Sequence, residues 1–96
     1  MNPSAPPRVT LLLPTVLERV VGRGRIETRG GTIEEALEGA FGEVPLLRHH
    51  LMLDSGGLRP HILCIVDGES VLRDEAMTTA LVDGSEILIH QAISGG

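Results

Sequence analysis

The chain reads as short runs with a two-residue hydrophobic period set around one run with a helical period. Val9, Leu11 and Leu13 fall on one face, and Pro14 closes the run, which predicts a first strand. Gly22-Arg23-Gly24 supplies turn residues, and Arg25-Ile26-Glu27-Thr28 then alternates up to Gly30-Gly31. These two runs predict an antiparallel hairpin with a loose connection. Thr32-Ile33-Glu34-Glu35 is a capping box, in which the Thr32 hydroxyl accepts the N–H of Glu35 and the Glu35 side chain reaches back. A helix is therefore predicted from Thr32, with an apolar stripe of Ile33, Ala36, Leu37, Ala40 and Phe41, acidic residues at its positive end, and Gly42 and Pro45 ending it. Leu46 to Leu53 reads as a short helical or irregular stretch, and Asp54-Ser55-Gly56-Gly57 as a loop tip.

A strong strand follows from His61 to Val66, with Ile62, Cys64 and Val66 on one face and Leu63 and Ile65 on the other. Asp67-Gly68 predicts a tight turn into a short return strand around Val71 and Leu72, and Asp83-Gly84 launches a last strand from Glu86 to His90. One helix among several strands cannot cover both faces of a sheet. The expected fold class is α+β, a mixed sheet with one main helix packed across one face.

At 96 residues the chain has room for one core and none for a two-domain enzyme. The 42% hydrophobic and 22% charged content is a globular balance, so it is expected to fold without staples. Residues 1–8, with three prolines in the first seven, read as a disordered leader, residues 9–90 as the folded domain, and residues 91–96 as a flexible tail. A net charge of −5 and a single aromatic, Phe41, argue against nucleic acid, which rewards basic surfaces and stacking platforms. All eight basic residues are arginine, so no lysine is present to form a Schiff base or accept an acyl group. Cys64 is the only cysteine, which excludes an internal disulfide and suits a reducing compartment. The apolar run Val9 to Leu17 is short and broken by Pro14, so neither a membrane span nor an export signal is expected, and the location is read as cytoplasmic.

Several residues with chemical potential read as ordinary. His50 and Asp54 lie four apart and would share a helix face, but the adjacent His49 and His50 point in different directions and the glycine-rich tip is a poor frame for a metal. Cys64 alternates with Ile62 and Val66 and reads as a buried core thiol. Ser94 has no interpretable His and Asp partners and reads as a small tail residue. Glu34, Glu35 and Glu38 read as a solvated helix face.

The most informative feature is the end of the sequence, Gln91-Ala92-Ile93-Ser94-Gly95-Gly96. Two residues without a Cβ allow an extended tail to enter a narrow channel and present its carboxylate to another enzyme's nucleotide. Taken with the element order, the capped helix at Thr32 and Glu35, Val66-Asp67-Gly68, Asp83-Gly84 and the terminal Gly95-Gly96, the chain from Val9 onward resembles the ubiquitin-like sulfur-carrier family. That family includes the molybdopterin synthase small subunit and carriers of the thiamine and cysteine pathways. It departs from the family pattern at Gln91, where many relatives have proline, and at Asp67, where asparagine is frequent.

The resemblance implies a ubiquitin-like β-grasp fold and a protein cosubstrate with no catalytic residues, no metal site and no bound cofactor. An E1-like adenylating enzyme would use ATP to activate the Gly96 carboxylate, a sulfur donor would convert it to a thiocarboxylate, and a sulfur-accepting enzyme would receive the sulfur. Ile93, Ser94 and Gly95 would form the inserted tail. Conjugation of Gly96 to other proteins, as by a ubiquitin-like modifier, and a stable complex like that of the molybdopterin synthase small subunit are the alternatives. The strand pattern itself supplies a docking surface. With Ile62, Cys64 and Val66 toward the helix, Leu63 and Ile65 face outward beside Thr10 and Leu12 of the first strand and Leu88 and His90 of the last. Leu63, Ile65, Leu88 and His90 are the expected partner-docking residues.

Overall fold

The computed structural model describes residues 5–91, so the expected tail residues Ile93, Ser94, Gly95 and Gly96 lie outside the described residues. The elements are β1 (Arg8–Leu12), α1 (Thr15–Val21), β2 (Arg25–Arg29), α2 (Ile33–Glu43), α3 (Pro45–Leu51), β3 (Ile62–Val66), β4 (Glu69–Ser70), a 3-10 turn (Arg73–Glu75) and β5 (Ser85–Gln91). The strands form one sheet in the order β2-β1-β5-β3-β4. β1 and β5 are parallel and every other pairing is antiparallel, which is the expected mixed sheet. The first and last strands thus lie side by side in its interior, and the intervening chain supplies the crossover.

The hydrophobic period explains which face is covered. Leu11, Ile26 and Ile87 are wholly shielded from solvent and meet Ile33, Leu47 and Leu51 from the helices. α2 begins as its sequence dictates: Thr32 is in extended conformation and its hydroxyl accepts the N–H of Glu35 at 3.3 Å. The Glu35 carboxylate reaches back one residue further than expected and accepts the N–H of Gly31 at 2.8 Å. The N–H groups of Ile33 and Glu34 donate to the carbonyls of Thr79 and Met77, so the loop after β4 completes the start of the helix.

α2 lies unusually close to β2. The Thr28 hydroxyl donates to the Ala36 carbonyl at 2.9 Å, and a Cβ on Gly30 would fall onto the Ala36 nitrogen and 2.8 Å from the Glu35 carbonyl carbon. A Cβ on Gly39 would meet the Thr28 hydroxyl. These two glycines set the helix-to-sheet distance.

Three expectations are corrected. The connection between β1 and β2 is not loose: Thr15–Val21 forms α1, with Leu17 buried beneath it and Gly22 closing it at φ 83°. Its single fully buried residue and the absence of a side-chain cap gave no helical signal. The return strand is Glu69–Ser70, not the stretch around Val71 and Leu72, because Asp67 (φ 49°) and Gly68 (φ 89°) make a two-residue turn that pairs Val66 with Glu69 at once. Both proposed boundaries also move. Arg8 belongs to β1, while Gln91 is the end of β5 and pairs with Ile62.

Gly30→Ala is expected to cost about 1–3 kcal/mol or more, because the added methyl meets backbone that cannot rotate away. Thr32→Ala is expected to cost about 1 kcal/mol through loss of the cap. Thermal melts of the two variants test this order, each kcal/mol corresponding to roughly 4–8 °C in a domain of this size.

Candidate functional site

β5 organises the candidate site because it is flanked on both sides and alternates strictly. Ser85, Ile87 and Ile89 are buried, while Glu86, Leu88 and His90 face solvent. The neighbouring registers place outward residues beside them. Leu88 is paired with Leu12 of β1 and with Ile65 of β3, so three apolar side chains form one row across the sheet. The next pair toward the end of β5 is Leu63 with His90.

Leu63 and Leu88 are 39% and 41% exposed, His90 is exposed, and Ile65 is half-buried by its neighbours. All four residues expected to dock a partner therefore share one open face. Leu12 completes the row. Arg25 and Glu86 border the row with charge, since Arg25 pairs with Leu12 and Glu86 with Thr10. The result is an apolar stripe with a polar edge, the composition that protein interfaces use.

The stripe runs to the point where β5 ends. His49, His50, Arg59, His61 and Gln91 line a shallow recess of about 310 Å³ there, and the Arg59 Nε donates to the His49 carbonyl at 3.1 Å.

Residues weighed for other chemistry have found structural places. α3 ends at Leu51, so Asp54 lies in the following turn and does not share a helix face with His50. Among the described residues no group of three or more His, Cys, Asp or Glu is placed to hold a metal ion. Two members of the acidic helix face are engaged within the chain: Glu35 at Gly31, and Glu38 with Arg48, whose guanidinium also lies 4.7 Å from the Phe41 ring centre.

Cys64 is buried on the helix-facing side of β3, where desolvation of the thiolate pushes its pKa up to about 11. Sequence reasoning placed Leu72 in a return strand and gave no role to Val82; the two are 71% and 66% exposed. Their loop has no hydrophobic period, and a single apolar residue in such a loop carries no signal of where it points.

A mixed sheet in this order, with a capped helix across one face and its last strand in the interior, defines a ubiquitin-like β-grasp protein. No protein-family model matches the chain and no curated protein matches it. Solved structures do match. SAMP1 from Haloferax volcanii superposes with a TM-score of 0.79 at 26% identity, over 93% of this chain and 99% of that one. A chain of the BexX/CysO complex from Amycolatopsis orientalis gives 0.79 at 25% identity, over 92% and 99%. Mycobacterium tuberculosis CysO gives 0.78 at 25% identity, over 88% and 99%. The structural neighbours are thus ubiquitin-like proteins of the sulfur-carrier and small archaeal modifier kind, small carriers and modifiers rather than enzymes. No helix among the described residues is long and apolar enough to cross a membrane.

The Cys64 thiol is expected to resist alkylation in the folded protein and to react only on unfolding. The unfolded thiol ionises near 9.0 and the folded one near 11, so the unfolded chain loses its proton first. Its contribution to stability is therefore complete below pH 9 and lost as pH rises toward 11, with a slope of at most about 1.4 kcal/mol per pH unit. Denaturant titrations of the native chain and of Cys64→Ala between pH 8 and about pH 11 measure the difference.

Proposed function

We propose that the chain is a sulfur carrier that works through a thiocarboxylate at Gly96. A carboxylate is a poor acyl donor because its oxygen does not leave and its charge repels nucleophiles. An E1-like adenylating partner supplies the activation. The Gly96 carboxylate oxygen attacks the α-phosphorus of ATP, pyrophosphate leaves, and an acyl adenylate forms. A sulfide-level donor then attacks the acyl carbon and AMP leaves, which places sulfur on Gly96 for transfer to an accepting enzyme. ATP belongs to the partner, and this chain is a cosubstrate.

What supports the reading is the open apolar row on β5, together with the sequence Ile93-Ser94-Gly95-Gly96 that follows this strand along the chain. A partner seated on Leu63, Ile65, Leu88 and His90 would hold the domain while the tail reaches a buried nucleotide. The complex of CysO with BexX supports the idea that a protein of this fold is held by a partner protein. The name small archaeal modifier protein for other neighbours favours a second reading, in which the same activated Gly96 is joined to another protein.

Intact mass after incubation with ATP, sulfide and the host's adenylating enzyme is expected to show one oxygen replaced by sulfur. The change should vanish when Gly95 and Gly96 are deleted. Recovery of the chain attached to other proteins, with no such change, would establish the modifier reading instead. If deleting both glycines leaves function intact, the chain is a docking subunit.

Leu63→Asp is expected to slow activation by at least about tenfold, the effect of roughly 1.4 kcal/mol at an interface, without lowering the melting temperature. Equal losses of activity and stability would mean that the side chain serves the fold and not the partner.

A further inference from the structure

We propose a second docking surface at the pole opposite the root of the tail, shaped for a cationic segment of a partner protein that also carries an apolar side chain. The pole holds an open cleft of about 470 Å³ between the β3–β4 turn and the loop that leads into β5. Val71, Leu72 and Val82 give it an apolar lining, and Asp67, Glu69 and Glu75 give it carboxylates. Leu72 and Val82 are the most exposed of the large hydrophobic side chains among the described residues. Two such residues on one cleft are costly to leave in water unless something covers them.

Charge complementarity identifies the occupant. Residues 67–86 carry six carboxylates against one arginine, so this stretch accounts for the whole net charge of −5 while the rest of the chain is balanced. That arginine, Arg73, is turned away and donates to the carbonyls of Leu58 and Arg59. A segment bearing Arg or Lys next to an apolar residue would satisfy both linings at once.

A second copy of the chain is a poorer occupant, because six of its eight arginines, Arg73 among them, are engaged within the chain. Arg23 pairs with Glu43, Arg25 with Glu27 and Arg48 with Glu38, while Arg29 and Arg59 donate to backbone carbonyls. The cleft is also firmly built. Thr79 and Met77 carbonyls accept from the first turn of α2, Leu81 donates to Gly31, and the Ser85 hydroxyl accepts from Val82 at 3.0 Å. Ser85 lines the cleft and Gln91 marks the tail root, roughly 20 Å apart along β5. A protein bound at this pole therefore sits remote from Gln91 and from the Leu63–His90 pair of the apolar row, independently of what chemistry the tail performs.

The test uses the full chain labelled with nitrogen-15, titrated with a synthetic peptide of alternating Arg and Leu and, as control, one of alternating Glu and Leu. The expected result is saturable binding of the cationic peptide alone. Amide shifts should be confined to residues 67–86, and affinity should fall at least tenfold in the double variant Leu72→Ser, Val82→Ser. Both positions are so exposed that the fold should be retained, which an unchanged melting temperature verifies. Shifts spread over the carboxylates of α2, or an affinity indifferent to the double variant, would overturn the proposal. Concentration-dependent self-association abolished by the same double variant would also overturn it, since the occupant would then be a second copy.

Discussion

The parallel pairing of β1 with β5 is the constraint from which the rest of the molecule follows. It places the first and last strands together in the sheet interior, with Leu11 beside Ile87 and both wholly shielded. Parallel neighbours cannot be joined by a tight turn, so the chain makes a long crossover excursion between them, which adds β2, β3 and β4 to the same sheet and carries α2 across its covered face. The first part of β5 is held between β1 and β3, and its last residues, His90 and Gln91, pair with β3 alone.

Two close contacts make that crossover fit. The absence of side chains at Gly30 and Gly39 lets α2 settle against β2, and the Thr28 hydroxyl bonds directly to the Ala36 carbonyl. Where β1 and β5 begin, Asp67 and Asp83 perform matching roles. The Asp67 carboxylate accepts the N–H of Glu86 at 2.8 Å, and the Asp83 carboxylate accepts the N–H of Arg8 at 2.9 Å. Both aspartates also occur in Asp-Gly turns, so the same residues reverse the chain and bind the central strands at their starting edge. Asp67 holds φ at 49°, a left-handed conformation that Asp and Asn tolerate better than most residues.

The covered and open faces of the sheet divide its labour. On the covered face Leu11, Ile26, Ile62, Ile87 and Ile89 are buried, and so is Cys64, whose thiol is held neutral by its apolar surroundings. On the open face Leu12, Ile65 and Leu88 line up only because three strands share a register, with Leu63 and His90 following. The charged residues are segregated too, the excess acid being concentrated at the end remote from Gln91. A small domain thereby presents chemically different surfaces at its two ends and on its open face.

Much of this was legible in the residues because the signals were local. The two-residue period of Val9 to Leu13 and of residues 62–66, the capping box at Thr32 and the Asp-Gly turns each depend on near neighbours, and each element formed where those signals lay. The outward set Leu63, Ile65, Leu88 and His90 followed from alternation alone, since a strand's faces are fixed by parity. α1 was not legible, because a two-turn helix held by one buried leucine takes its stability from packing rather than from its own sequence. The position of β4 depended on a backbone conformation, and the service of Glu38 to Arg48 depended on two helices meeting. The sequence by itself determined the periodicities, the turns and the terminal glycines. Only the tertiary structure decided which strands became neighbours, because strand pairing depends on residues as distant as Leu11 and Ile87, whose meeting no local pattern encodes.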